Sequence, residues 1–302
     1  MAHRLCATPS IKRHTCIEYP CLYSKRHKIH IVNHTPNKIH HSNPRISAYP
    51  SHLQYLGFLM KKEYHHWFSP SLNEDMALNV YGHAGKPILV FPSSGGSFYE
   101  YEDFGMVDCI ADFIEAGKCM LFTIGSADNE SWLNKSIEPS QRALRHNAYD
   151  AYVRDEIVPF IQNVSGRSDI LSTGCSLGAY HAMNFFLRHP DACNAVIALS
   201  GCYQLTYFVG DYVDDNVYFN SPLLYLPNCS DPWYLDKYRH SQIIACCGQG
   251  AWEDEMIHDT GELARIFAEK QIPAWCDFWG HDVNHDWDWW RRQMPYFLAF
   301  IV

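Results

Sequence analysis

Gly174-Cys175-Ser176-Leu177-Gly178 sets a serine hydroxyl between two residues that have no side chain. The flanking sequence supplies a geometry in which that hydroxyl can act as a nucleophile. Residues 168–173 form a short, apolar-leaning run that reads as a strand, and residues 179–188 have helical spacing that stops at His189-Pro190. A strand, a tight turn and a helix hold the serine oxygen at the tip of the bend, where the glycines relieve crowding. The helix that starts there aims unpaired N–H groups at any anion formed beside it. The chemistry this arrangement suits is acyl transfer through a nucleophilic serine.

A serine hydroxyl is a weak nucleophile near neutral pH, so it needs a base and a carboxylate to orient that base. In strand–helix proteins with such an elbow the chain order is serine, acid, histidine. The acid is expected after a late strand, here residues 242–247, whose following loop contains Glu253, Asp254 and Glu255. Glu253 is preferred and Asp254 is the alternative, because both precede the body of the next helix. Acids in a first helical turn also stabilise the helix dipole, so one serves the site and the others the helix. The base is expected after the last strand, where residues 279–290 offer two histidines. His281 follows that strand too closely to reach along the sheet edge and reads as a structural or pocket-lining residue; His285 is the expected base. His281, Asp282, His285 and Asp286 could also be taken for a cation cluster, but the serine elbow already accounts for His285. No metal or organic cofactor is expected.

The anion that forms on the carbonyl oxygen needs donors, each worth roughly 3–4 kcal/mol. The backbone N–H of Leu177 is the first. The second is expected from Pro92-Ser93-Ser94-Gly95-Gly96-Ser97-Phe98, small residues that follow the apolar strand at 87–91, with the N–H of Ser94 or Gly95 as the donor. A further loop, residues 125–132, follows the next strand and is expected at the same edge, against substrate.

These loops need a frame. Residues 63–68 and 76–81 alternate like edge strands. Short apolar runs at 87–91 and 119–124 read as buried strands, and 195–199, 242–247 and 274–278 read as further strands. Helical patterns lie between them at 107–116, 139–164, 179–188, 254–270 and 286–300, with Pro139 in a first turn and Pro159 expected to kink or shorten the second. The alternation predicts an α/β-hydrolase arrangement: a mostly parallel twisted sheet with helices on both faces and an antiparallel edge. Residues 203–240 interrupt it with ten aromatic residues and five aspartates. A plain loop of that length is uncommon in a compact domain, and its position predicts a small aromatic-rich cap over the site.

Composition bounds the rest. The chain has 302 residues and a formal net charge of −9, which disfavours nucleic acid as a partner. No run approaches the roughly 18 apolar residues of a membrane span, and the first residues lack the apolar core of a signal peptide. The 12 cysteines are not spaced as a disulfide framework or zinc site, and Cys6, Cys16 and Cys21 fit no standard metal spacing. Several fall in or beside predicted strands (Cys119, Cys175, Cys246, Cys247, Cys276), which suggests buried reduced thiols and a cytoplasmic setting. Residues 1–59 differ from the rest, with 8 Lys/Arg, 1 acidic residue and 8 of the 18 histidines; the remainder holds 16 basic and 32 acidic residues. This segment reads as disordered, or as a non-native extension upstream of a start at Met60, and residues 60–302 as the hydrolase domain.

The chain resembles the esterase family of α/β-hydrolases that includes esterase D type S-formylglutathione hydrolases, feruloyl esterases and the antigen 85 mycolyltransferases. The elbow at 174–178 matches that family's nucleophile motif. His285-Asp286-Trp287-Asp288-Trp289-Trp290 is similar to its His-x-Trp-x-x-Trp ending. The resemblance implies Ser176 as nucleophile and His285 as base. The acid carries over less directly, and Ser93-Ser94-Gly95-Gly96 departs from the His-Gly form of many oxyanion loops. The expectation is a serine hydrolase that cleaves small carboxylic esters through an acyl-enzyme. The alternatives are an acyltransferase with the same residues and a binding protein on an inactive hydrolase fold.

Overall fold

The computed structural model describes residues 60–302; the reading of residues 1–59 lies outside the described residues. Eight strands form one sheet in the order β1-β2-β4-β3-β5-β6-β7-β8. They are β1 (Lys62–Ser69), β2 (Glu74–Tyr81), β3 (Lys86–Phe91), β4 (Cys119–Ile124), β5 (Ile170–Cys175), β6 (Cys193–Leu199), β7 (Gln242–Cys247) and β8 (Trp275–Phe278). β1 and β2 pair antiparallel, as do β2 and β4; every other pairing is parallel. The burial of β3 and β4 along their whole length explains their apolar runs, and β5, equally buried, satisfies its Ser172 and Thr173 hydroxyls on backbone carbonyls. β1 alternates exposed and half-buried positions, as an edge strand should.

The principal helices are α1 (Pro139–Tyr152), α2 (Val158–Ser165), α3 (Leu177–Arg188), α4 (Asp254–Glu269) and α5 (Trp287–Leu298). One face of the sheet buries a core with α1, α2, α3 and α4 through residues such as Tyr152, Ile161, Met183, Phe186 and Phe267. The other packs on α5 and on short helices between residues 106 and 115, through Ile110, Ile114, Met294 and Phe297.

Two predicted helices differ in detail. The single helix expected at 139–164 is α1 and α2 joined by a π-helical turn at Val153–Ile157. Pro159 has no N–H and its ring crowds the carbonyl four residues back, so the widened turn just before it relieves that contact. The helix expected at 107–116 is two short pieces, Met106–Cys109 and Ala111–Glu115, closed by Gly117 at φ +66.

Residues 203–240 contain four short helices and one 3-10 turn. Tyr203, Tyr225, Tyr234 and Tyr238 join the core shared with α3 and α4. Leu205, Val209 and Val217 pack instead with Trp132, Leu177 and Tyr180, which ties the insertion to the start of α3. Tyr207 and Tyr212 are exposed.

Candidate active site

The carboxyl ends of β3 to β8 share one edge of the sheet, where ligands bind in open α/β folds. Ser176 stands at the tip of the β5–α3 turn with φ +56 and ψ −124, a backbone region that disfavours side chains. The motif's glycines are there for space. A Cβ on Gly178 would lie 2.5 Å from the carbonyl oxygens of Phe91 and Pro92, and one on Gly174 would lie 2.4 Å from the backbone of Gly178. Contacts that close let α3 start directly against the end of β3.

His285 Nε2 lies 2.8 Å from Ser176 Oγ. Two interlocked loops deliver it. The N–H of Gly250 donates to the Val283 carbonyl at 2.8 Å, the N–H of Ala251 to Asn284 Oδ1 at 2.9 Å, and the N–H of His285 to the Ala251 carbonyl at 3.0 Å. Asp286 caps α5 by accepting from the N–H groups of Asp288 and Trp289. The Trp290 ring stands edge-on to the imidazole, with centroids 4.9 Å apart. His281 is exposed rather than lining a pocket.

Of the three adjacent acids, only Glu253 turns inward. It is fully buried, and its Oε2 is 3.7 Å from His285 Nδ1. That is ion-pair range but longer than a hydrogen bond, and both atoms lack a hydrogen-bond partner. Catalytic hydrogen bonds are often long without substrate and tighten when it binds. Asp254 and Glu255 are exposed on the first turn of α4, so neither is brought to His285; their negative charge favours the helix N-terminus. The other oxygen of Glu253 accepts from Ser200 Oγ at 2.6 Å, and Ser200 accepts from Trp290 Nε1 at 3.0 Å. Sequence reasoning missed Ser200, whose partner Glu253 lies 53 positions further along the chain.

The loop after β3 is held on several sides. Buried Glu100 accepts from both the N–H and the Oγ of Ser93 at 2.6 Å, and burial raises its carboxyl above the usual range. Ser126 Oγ donates to the Gly96 carbonyl at 2.8 Å. The N–H of Gly95 donates to Asp128 Oδ2 at 3.1 Å, so it is already engaged and not available as a second oxyanion donor. The N–H of Ser94 meets no acceptor among the described residues, and neither does that of Leu177. The loop 125–132, expected against substrate, thus grips the neighbouring loop through Ser126 and Asp128.

A serine on a strand–helix elbow, an imidazole in contact with it and a buried carboxylate behind define an α/β-hydrolase. The match to the family described as "Putative esterase" spans residues 69–301, and the chain belongs to that family. It is a carboxylesterase-type enzyme. Similar solved structures agree on the fold. A ferulic acid esterase superposes with a TM-score of 0.65 at 18% identity, covering 81% of this chain and 98% of its own. The S-formylglutathione hydrolase FrmB of Staphylococcus aureus gives 0.57 at 13% identity, covering 80% and 96%. MPT51 of Mycobacterium tuberculosis gives 0.59 at 12% identity, covering 79% and 97%. A search of the curated proteins gives no match.

Proposed function

We propose that this esterase cleaves small carboxylic esters through an acyl-enzyme on Ser176. His285 takes the serine proton as Oγ attacks the carbonyl carbon, then gives it to the leaving alcohol as the tetrahedral intermediate collapses. Glu253 holds the imidazole in the tautomer that faces serine and stabilises its charged form. The N–H groups of Leu177 and Ser94 receive the oxyanion. Water activated by His285 then releases the acid. The insertion at 203–240 covers the acyl pocket, a reading supported by its packing on Leu177. Among the described residues no helix is long and apolar enough to cross a membrane. Burial raises the Cys193 and Cys202 thiols to about 12, which keeps them protonated apolar fillers. Such thiols fit a reducing setting, and cytoplasmic residence is part of the proposal.

The observation that carries the reading is the 2.8 Å approach of His285 Nε2 to Ser176 Oγ. Ser176→Ala tests it, with p-nitrophenyl ester turnover and fluorophosphonate labelling as readouts. Both are expected to vanish while the protein stays folded; turnover at the parent rate removes Ser176 from the mechanism. Product analysis with and without added alcohols checks water as the acceptor, and transfer in preference to hydrolysis makes the enzyme an acyltransferase.

A further inference from the structure

Asp128 and His181 lie behind the site, and neither is used in the chemistry above. Both are almost wholly buried, at 1% and 2% exposure. Asp128 follows β4; its Oδ1 lies 2.8 Å from His181 Nε2 and its Oδ2 accepts the Gly95 N–H at 3.1 Å. An ionised carboxylate only accepts, so His181 donates Nε2–H. His181 sits on α3, whose first residue is Leu177. Its ring stacks on Phe91 at 6.0 Å and meets Tyr149 edge-on at 5.6 Å, so it cannot swing away.

We infer that the Asp128–His181 pair positions the oxyanion hole, joining the loop that carries one donor to the helix that carries the other. The inference rests on the esterase reading above. Its physical content is the turn at residues 93–96. Gly96 N–H donates to the Ser93 carbonyl at 2.9 Å, and Gly95 has φ +66 while Ser94 does not have positive φ. That combination is a type II turn, whose central peptide can flip to the type I form. Asp128 accepts from the N–H of that central peptide. A flip would turn the Ser94 carbonyl onto the carboxylate, so Asp128 favours the observed form of the turn and anchors the loop, with the Ser94 N–H on its preceding peptide, at a fixed place relative to α3. His181 fixes Asp128 to the helix that presents Leu177. A buried apolar pair would fill the same volume without the cost of burying a charge. The carboxylate adds a directional hold at the middle of the turn, between Ser93, which Glu100 grips, and Gly96, whose carbonyl accepts from Ser126.

The test is Asp128→Ala, with kcat, KM, the affinity of a trifluoromethyl ketone and the melting temperature as readouts. The ketone forms a tetrahedral adduct with Ser176 whose oxygen occupies the oxyanion position. A misdirected donor costs about a hundredfold in kcat. We expect that loss with KM within about threefold, a parallel loss of ketone affinity, and recovery to within about tenfold in Asp128→Asn, which keeps one acceptor for Gly95. If Asp128→Ala does not fold, Asp128→Leu combined with His181→Phe removes the bridge without stranding His181, since replacing both partners by apolar groups is nearly neutral. The same losses are expected there. Parent kcat and ketone affinity in a folded bridgeless variant overturn the inference, as does a raised KM at unchanged kcat. An unaltered protein that neither labels with fluorophosphonate nor cleaves esters overturns the esterase reading, and the bridge with it. An active parent with an equally active bridgeless variant overturns the bridge alone.

Discussion

Replacing Glu253 with glutamine keeps the shape of the side chain and an oxygen for Ser200 while removing the charge. In the transition state of the proposed mechanism His285 carries a proton and a positive charge, with the carboxylate oxygen 3.7 Å from Nδ1. The His285 side chain is 15% exposed and Glu253 is fully buried. At an effective dielectric of about 20 the attraction at this separation is about 4.5 kcal/mol. It acts on the charged imidazole and not on the neutral one, so it lowers the barrier rather than tightening substrate binding. At about 1.4 kcal/mol per decade, Glu253→Gln should lower kcat by roughly two-thousandfold and leave KM within a few fold. Steady-state hydrolysis of p-nitrophenyl acetate, with active sites counted by fluorophosphonate and folding followed by thermal melting, makes the measurement. A folded variant with kcat within tenfold of the parent would refute the assignment of Glu253 as the stabilising carboxylate. The same measurement on Asp254→Asn, an exposed residue of the first turn of α4, should show less than a twofold change.

Two further predictions concern the frame. Gly178→Ala forces a methyl group to within 2.5 Å of two backbone oxygens that cannot rotate away. Overpacking against backbone should cost about 3 kcal/mol, and on the order of 10 °C in melting temperature for a domain of this size. An unchanged melting temperature would show that α3 does not rest on the end of β3 as described. His146 is buried, and burial, followed by the neighbouring His181, holds its imidazole well below the usual histidine range. Its folded pKa is therefore lower than its unfolded value of 6.5, and below that pH the unfolded chain binds a proton that the folded chain does not. This contribution makes stability fall by up to about 1.4 kcal/mol per pH unit as the pH drops below about 6.5. His146→Phe, filling the same ring contacts, should flatten the dependence of melting temperature on pH between about 6.5 and 5; parallel curves for parent and variant would contradict it.

Much of this molecule was legible because the features involved are local. Buried strands such as β3 and β4 are unbroken apolar runs, and the elbow needs two glycines within five residues, so both show in the sequence. His285 was readable because the last strand and the last helix leave only a short loop between them. Asp128 and Ser200 were not. Each gains its meaning from residues 33 and 53 positions away, Gly95 for the first and Glu253 for the second. No spacing rule brings such pairs together; only the sheet order does. The choice of Ser94 over Gly95 likewise depends on which N–H the Asp128 carboxylate has taken.

The choice among Glu253, Asp254 and Glu255 turns on a backbone conformation that residue type argues against. Trp252 has φ +67 and is 82% exposed, an arrangement that propensity would assign to glycine or asparagine. Its reversal of the chain points Glu253 inward before α4 begins. Ser200 and Ser176 do the same at the ends of β6 and β5, with φ +55 and +56. Only two other residues without a glycine's freedom have positive φ among the described residues: Asn73, which turns the β1–β2 hairpin, and Gln271, which precedes β8 at the opposite edge. Each such residue costs about 1–3 kcal/mol and persists only where its surroundings hold it. Here they hold the proposed nucleophile, the hydroxyl bonded to the proposed acid, and the turn that carries that acid, after three consecutive strands. Local propensity therefore reads the scaffold well and fails at the functional edge, because that edge is built from conformations the scaffold imposes and the residues themselves resist.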